Sequence, residues 1–312
     1  MRLLIANFDG ELEMARTATP GPHPSLPAHV KRRLAQISSE LAVFGADEIA
    51  LEAASCSPNP GDEILAWAET ESVAALRADC GPSNRTDGGT DWIDSLWASN
   101  PSAEATTACH DRRFTLALAL ERRTVLPKTC LVDSVRLLTQ RLPSVISESA
   151  DGAWIAKAPF GASGRERVYR WGAQFPDDIE TRLLRLLERY GELILEPMMP
   201  RLADVGVAGV VGETGIKTFP IHRLICDDAG VFRSIELATP EIPASMLSAV
   251  RAAAEAAGEA LHARGHRGAY GIDGFVYRTP SGDAAIQPMC EINARLTFGH
   301  VAHAKHGSVL TG

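Results

Sequence analysis

Apolar positions along this chain switch between a short-run pattern and a three-to-four pattern, and their order predicts an α/β (α+β) protein. Leu3 to Phe8 reads as a first strand, followed by the turn-rich loop Pro20–Pro27. Val30, Leu34, Ile37, Leu41 and Phe44 lie on one stripe and predict a helix over Ala28–Phe44. A strand over Glu48–Ala53, a helix over Ser72–Arg77 and a polar loop over Pro82–Asp91 complete an N-terminal unit of parallel strands and crossover helices. Further on, Phe114, Leu116, Leu118 and Leu120 predict a helix over His110–Arg122. A strand over Thr129–Val132 and a helix from the Asp133-Ser134 cap to Leu142 come next. Ala153–Lys157 is a strand, and Ile179–Tyr190 is a helix whose stripe Ile179, Leu183, Leu184 and Leu187 belongs in a core. Glu192–Val211 reads as strand, kink, strand. Lys217–Cys226 and Gly230–Glu236 read as a hairpin turning at Asp227–Gly230. An alanine-rich helix over Ala244–Arg264 precedes two strands, Gly271–Tyr277 and Ala284–Asn293.

The 312 residues suffice for two or three packed units, and 45% hydrophobic with 22% charged residues is ordinary globular composition. A net charge of −8 without a basic stripe argues against a nucleic-acid partner. No apolar run approaches the roughly 18 residues of a membrane span, and the start is too short for a signal peptide. Six scattered cysteines without a C-x-x-C pair predict reduced thiols and a cytoplasmic setting. Cys290 reads as core. No G-x-G-x-x-G follows the first strand, so a dinucleotide fingerprint is absent.

The chemistry concentrates in Gln287–His300. Glu291, Asn293 and Arg295 are spaced by two, so a strand puts them on one face and turns Ile292 and Ala294 to the other. A carboxylate, a carboxamide and a guanidinium in a row suit Mg²⁺ and a phosphate better than a buried sheet face. The turn Pro280–Asp283 folds Asp273 back beside Glu291 or Asn293, which supplies a second carboxylate. Upstream, Lys157 ends a strand and Gly161-Ala-Ser163-Gly164-Arg165 follows. Glycines of this kind let successive N–H groups turn toward a phosphate, with the lysine before the loop instead of after it as in a Walker A motif. The i, i+3 pair His300 and His303 is discounted as a metal site, and His222 reads as a structural histidine.

Asp273 followed by Glu291-Ile-Asn293-Ala-Arg295 resembles the metal-binding end of the ATP-grasp superfamily, and about residues 100 to 305 follow its order of parts. The resemblance implies two α+β lobes sandwiching ATP (about 106–195 and 196–312), preceded by a small Rossmann-like domain (1–105). It implies Mg²⁺, with Mn²⁺ as an alternative, on Asp273, Glu291 and Asn293. Arg112 would sit on phosphate, where lysine is usual in the family, and Lys157 on the α/β-phosphates. A flap at Gly161, Ser163 and Gly164 would cover them. Glu196, Met198 and Met199 would border adenine. Asp204 would bind ribose, where glutamate is usual. Arg295 would steady the transferring phosphoryl group. The activity implied is a carboxylate–amine ligase that passes through an acyl phosphate and releases ADP and phosphate. The small-molecule acid and amine would be an amino acid or peptide, and a homodimer is compatible. Alternatives are carboxylating or direct phosphotransfer chemistry, or a nucleotide-binding partner subunit without catalysis.

Overall fold

The computed structural model describes residues 1–19, 28–81, 91–161, 166–226, 232–238 and 241–306. Its first part runs β1 (Arg2–Ile5), α1 (Gly10–Ala18), α2 (Ala28–Ser38), β2 (Glu48–Ala50), β3 (Glu63–Ala66), α3 (Glu71–Cys80) and α4 (Trp92–Ala98). The three strands form a parallel sheet in the order β2-β1-β3. Leu3, Leu4 and Ile5 are at most 1% exposed, as an apolar run covered on both faces requires. The helix expected over Ala28–Phe44 ends at Ser38 and tightens into a 3₁₀ turn, Ser39–Phe44, closed by Gly45 at φ +72°. Helix α1, strand β3 and helix α4 were not anticipated. Most of the two loops expected at 20–27 and 82–91 lies outside the described residues. Asp91 is described, and its carboxylate caps α4 by accepting from Ile93 N at 3.2 Å.

Next come α5 (Ala103–His110), α6 (Arg112–Glu121), β4 (Cys130–Val132), α7 (Val135–Ile146), β5 (Ala153–Lys157), β6 (Arg167–Trp171), α8 (Asp177–Tyr190) and β7 (Leu193–Pro197). One helix was expected over His110–Arg122. The structure breaks it at Asp111, which is extended and accepts from Arg113 N at 2.8 Å, a capping role aspartate fills better than a helix interior. α5 therefore runs across the expected 105/106 boundary, and β7 runs across the expected 195/196 division. The sheet order is β4-β7-β5-β6, antiparallel throughout. On one face Ala156, Val168, Leu193 and Leu195 pack with Leu138 and Leu142 of α7 and Leu183 of α8. Each large apolar side chain so buried contributes roughly 1.5–3 kcal/mol. Leu184 is 51% exposed, a correction to the expected stripe, and Leu186 takes its place in the core.

The last part runs β8 (Arg201–Val211), β9 (Ile216–Thr218), β10 (His222–Cys226), β11 (Phe232–Glu236), α9 (Ala244–Ala263), β12 (Gly268–Arg278), β13 (Ala284–Asn293) and α10 (Phe298–Lys305). Six antiparallel strands follow the order β11-β10-β8-β12-β13, with β9 also on β8. The strand expected over Lys217–Cys226 is two strands, because Pro220 interrupts the ladder between them. The expected turn at 227–230 lies outside the described residues. Val250, Ala254, Ala257 and Leu261 of α9 pack against Val205, Val207 and Ile272. Helix α6 docks on β13, where Ile292 N donates to Thr115 Oγ1 at 3.1 Å. That bond sets the register between Arg112 and Glu291.

Candidate active site

The β12–β13 hairpin pairs Asp273 with Glu291 and Gly271 with Asn293. Ile292 and Ala294 are 1% exposed on the opposite face, so the period-two reading places the polar triplet as expected. Beyond Asp273 the register jumps to Phe275↔Gln287, so β13 bulges by two residues opposite Gly274. A Cβ at Gly274 would lie 2.7 Å from Pro288 O and 2.8 Å from Gln287 O, so only glycine lets β13 approach this closely. Cys290 lies in the bulge, half-buried against the cluster of Leu126, Met199, Phe275 and Tyr277 instead of in the main core. Burial pushes its thiol up to about 12.

Asp273 is pushed up to about 7, first by burial and then by the charge of Glu291 beside it. Two carboxylates on adjacent strands, one driven toward protonation by the other, are a donor set whose repulsion a hard divalent cation relieves. Asn293 Nδ2 donates to Asp273 Oδ2 at 3.1 Å, and Asn293 Oδ1 accepts from Arg295 Nη2 at 3.0 Å. The expected third metal oxygen is therefore engaged by Arg295. Among the described residues no three His, Cys, Asp or Glu side chains cluster around a metal position. The fit thus rests on two carboxylates and a carboxamide.

Arg112 approaches from the first turn of α6. Its Nε donates to Glu291 Oε1 at 2.9 Å, Nη1 to Ala158 O at 3.0 Å and Nη2 to Gly161 O at 2.7 Å. One guanidinium therefore ties the metal-ligand candidate to the beginning of the glycine loop. Ser163, Gly164 and Arg165 of that loop lie outside the described residues. Lys157, at the end of β5, meets Glu196 of β7 at 2.5 Å. The two belong to one sheet face, since Ile155 pairs with Glu196 and Lys157 with Ile194.

The kink between β7 and β8 carries the adenine candidates. Met198 is 36% exposed, but its backbone is engaged on both sides. Its N donates to Ala153 O at 3.0 Å, and its O accepts from Ser149 Oγ at 2.9 Å. Met199 is buried at 6%. Asp204 is held by Arg201 Nη1 at 2.5 Å, and Arg201 also lies 4.1 Å over the ring of Phe275.

Arg295 is tied to a residue that the sequence reading missed. Its Nε donates to Glu11 Oε1 at 2.7 Å, its Nη2 pairs with the same carboxylate, and its Nη1 donates to Leu296 O at 2.9 Å. His110 Nε2 lies 3.4 Å from Glu11. Burial works against the Glu11 charge, but Arg295 and His110 outweigh it and hold this carboxyl below the usual range. The available signal was an acid two residues after Asp9, just past the first strand. Arg167 was missed as well. It pairs in register with Lys157, and its pKa is lowered by burial and then by Arg201 and Arg112 nearby. Arg112 contacts Glu291, Arg167 lies within electrostatic reach of Arg112, Arg201 and Glu291, and Lys157, Arg201, Asp273 and Glu291 all act on Cys290.

The fold recurs in solved structures. N5-carboxyaminoimidazole synthase from Aspergillus clavatus, in complex with ADP and 5-aminoimidazole ribonucleotide, superposes with TM-score 0.56 at 12% identity. The match covers 96% of this chain and 70% of that one. N5-carboxyaminoimidazole ribonucleotide synthetase from Thermus thermophilus gives 0.54 at 16% identity, over 100% and 79%. Biotin carboxylase from Campylobacter jejuni gives 0.56 at 14% identity, over 99% and 68%. The chain has the ATP-grasp fold. No protein-family model and no curated protein sequence matches it. Among the described residues no helix is long and apolar enough to cross a membrane.

Proposed function

We propose that this chain is an ATP-dependent ligase that activates a carboxylate as an acyl phosphate and joins it to an amine. The observation that carries the reading is the gathering of Arg112, Arg167 and Arg201, with Lys157 in register beside Arg167, near two carboxylates, Asp273 and Glu291, one of them raised to about 7. Such a layout suits a polyphosphate screened by a divalent cation. Mg²⁺, or Mn²⁺ in its place, would neutralise β- and γ-phosphate charge when held by Asp273, Glu291 and Asn293.

In this reading Lys157 and Arg112 bind phosphate oxygens, Met198 and Met199 border the base with Glu196, and Asp204 accepts from the ribose. A carboxylate oxygen of the acid attacks the γ-phosphorus and ADP leaves. The amine nitrogen then attacks the acyl carbon and phosphate leaves. Arg295, oriented by Glu11, steadies the phosphoryl oxygens through both steps. Positioning and charge stabilisation carry the rate. The units in this proposal divide before α5 and between β7 and β8, where the chain leaves regular elements. The six free cysteines support a cytoplasmic setting.

Calorimetry of ATP with Mg²⁺ tests the reading on the wild type and on Glu291→Ala. Mg²⁺-dependent binding lost in the variant supports it, and ADP release is then measured with acid and amine pairs. A folded wild type that does not bind ATP sinks it. Carboxylation is the second reading, favoured by the names of the superposed enzymes. Uptake of labelled bicarbonate into an acceptor without a second acid would select it.

A further inference from the structure

Four aromatic rings meet beside Arg295. Phe8 follows β1 and Trp67 follows β3, both at the carboxyl ends of the parallel sheet. Phe298 opens α10, three residues after Arg295, and Phe232 opens β11. Phe8 and Trp67 lie 4.7 Å apart by ring centroid, Trp67 and Phe298 5.0 Å, and Phe298 and Phe232 5.4 Å with planes 8° apart. Phe8 and Phe298 are 17° from parallel at 6.3 Å. Trp67 is buried at 5%, Phe8 and Phe298 are half-buried, and Phe232 is 37% exposed. Leu296 N donates to Trp67 O at 2.9 Å, which docks the Arg295 loop on the sheet end. Arg295 Cζ lies 5.7 Å from the centre of the Trp67 ring.

The carboxyl ends of parallel strands are where open α/β sheets take ligands. Here that edge carries a guanidinium next to a run of aromatic faces that is only partly covered. Trp67 belongs to the main core and Phe8 and Phe298 pack against it, but these two rings lie at its edge and stay half-buried. The chemistry that fits both halves is an anion joined to a flat apolar group.

We propose that the acid accepted by this site carries an aromatic ring, seated on Phe8, Phe298 and Trp67 with its carboxylate toward Arg295. The inference rests on the acid-activating reading above. It adds the specificity of the acid and makes Phe8 and Phe298 its determinants. Glu11 fixes the guanidinium in place, and Trp67 forms the floor under ring and guanidinium alike.

Two matched pairs of probes test it by calorimetry on the full chain, phenylacetate against acetate and L-phenylalanine against L-alanine. Each is titrated with and without Mg²⁺ and a non-hydrolysable ATP analogue. The aromatic member of at least one pair should bind about tenfold tighter or more. Phe298→Leu and Phe8→Leu keep apolar volume but remove the flat face, and each should reduce that preference severalfold with affinity for the ATP analogue unchanged. Phe232→Ala, on an exposed ring, provides a variant that does not depend on core packing, and thermal midpoints confirm that all three are folded. Equal affinity for both members of both pairs overturns the proposal, as does a preference that survives both leucine variants. The rings then serve only to pin β11 onto α10. Failure of the ATP analogue to bind the wild type sinks the ligase reading instead, and the acid titrations without nucleotide still decide the ring preference.

Discussion

Arg112 and Glu291 lie 179 residues apart in sequence and meet with Nε donating to Oε1 at 2.9 Å. The pair links three things: the start of α6, the metal-ligand candidate on β13, and through Ala158 and Gly161 the strand end that leads into the glycine loop. Arg112 is 11% exposed and Glu291 29%, so the pair is neither a solvated surface bridge nor a fully dry one. Arg112→Met should therefore cost about 2 kcal/mol, between the surface and buried limits. Glu291→Gln, which keeps an acceptor for the guanidinium, should cost less than about 1 kcal/mol. Nucleotide binding should order them the other way, with Glu291→Gln losing about tenfold or more of its Mg²⁺ dependence. Urea unfolding and ATP calorimetry on both single variants and the double variant measure this. Strict additivity of the two stability changes would mean that the pair is not coupled.

Glu11 should be the most costly acid to remove from the site. It is 7% exposed and holds Arg295, itself 17% exposed, with His110 close by. Glu11→Ala leaves a nearly buried guanidinium without its partner, and such losses run to about 3–5 kcal/mol. Glu11→Gln keeps one acceptor and should cost roughly half as much. Chemical denaturation of the two variants checks the order. Equal and small losses would show that solvent compensates Arg295 and that Glu11 does not orient it.

The contrast between these two pairs explains what could be read from the chain. The triplet Glu291, Asn293 and Arg295 was legible because strand geometry is local: period two and one hairpin turn suffice to bring in Asp273. Lys157 was legible because it precedes a glycine loop at the end of an apolar run. Partners such as Glu11 for Arg295 and Glu196 for Lys157 depend on how separate sheets and strands dock, and no local period encodes that. The same holds for the gathering of Phe8, Trp67, Phe298 and Phe232, which comes from four unconnected stretches. Asp111 shows the reverse error. An apolar stripe argued for one continuous helix, and a capping carboxylate overrode it.

Acid should unfold this protein through its histidines. Burial is the first cause of low pKa values at His222, pushed down to about 3, and at His300 and His266, each pushed down to about 4. For each group the folded value lies below the unfolded value near 6.5. The unfolded chain therefore takes up the proton first, and stability is lost as pH falls below about 6.5. By pH 5 each histidine should have cost about 2 kcal/mol. Urea midpoints at pH 7.5 and pH 5 test the sum. His266→Gln, which can still reach Thr106 and Ala269, should flatten the slope by one histidine's share. An unchanged slope would mean that His266 opens to solvent before global unfolding.

Two glycines of the same hairpin separate site geometry from hairpin stability. Gly274 faces the bulge of β13, where an added Cβ would meet the carbonyl oxygens of Pro288 and Gln287 at 2.7 and 2.8 Å. Those are backbone atoms, so β13 must shift, and Glu291 with it. Gly282 lies in the exposed turn at φ +92° with nothing near a Cβ, so alanine there strains the backbone but displaces no neighbour. Gly274→Ala should cost about 1–3 kcal/mol by overpacking, and Gly282→Ala about 1 kcal/mol or somewhat more by conformation. Only Gly274→Ala should weaken Mg²⁺-dependent ATP binding, since only it moves Glu291 relative to Asp273. Calorimetry at a temperature where both variants are fully folded makes the comparison. Equal weakening in the two would assign the effect to the hairpin as a whole. Undiminished binding in Gly274→Ala would show that the pairing of Asp273 with Glu291 is not what binds nucleotide.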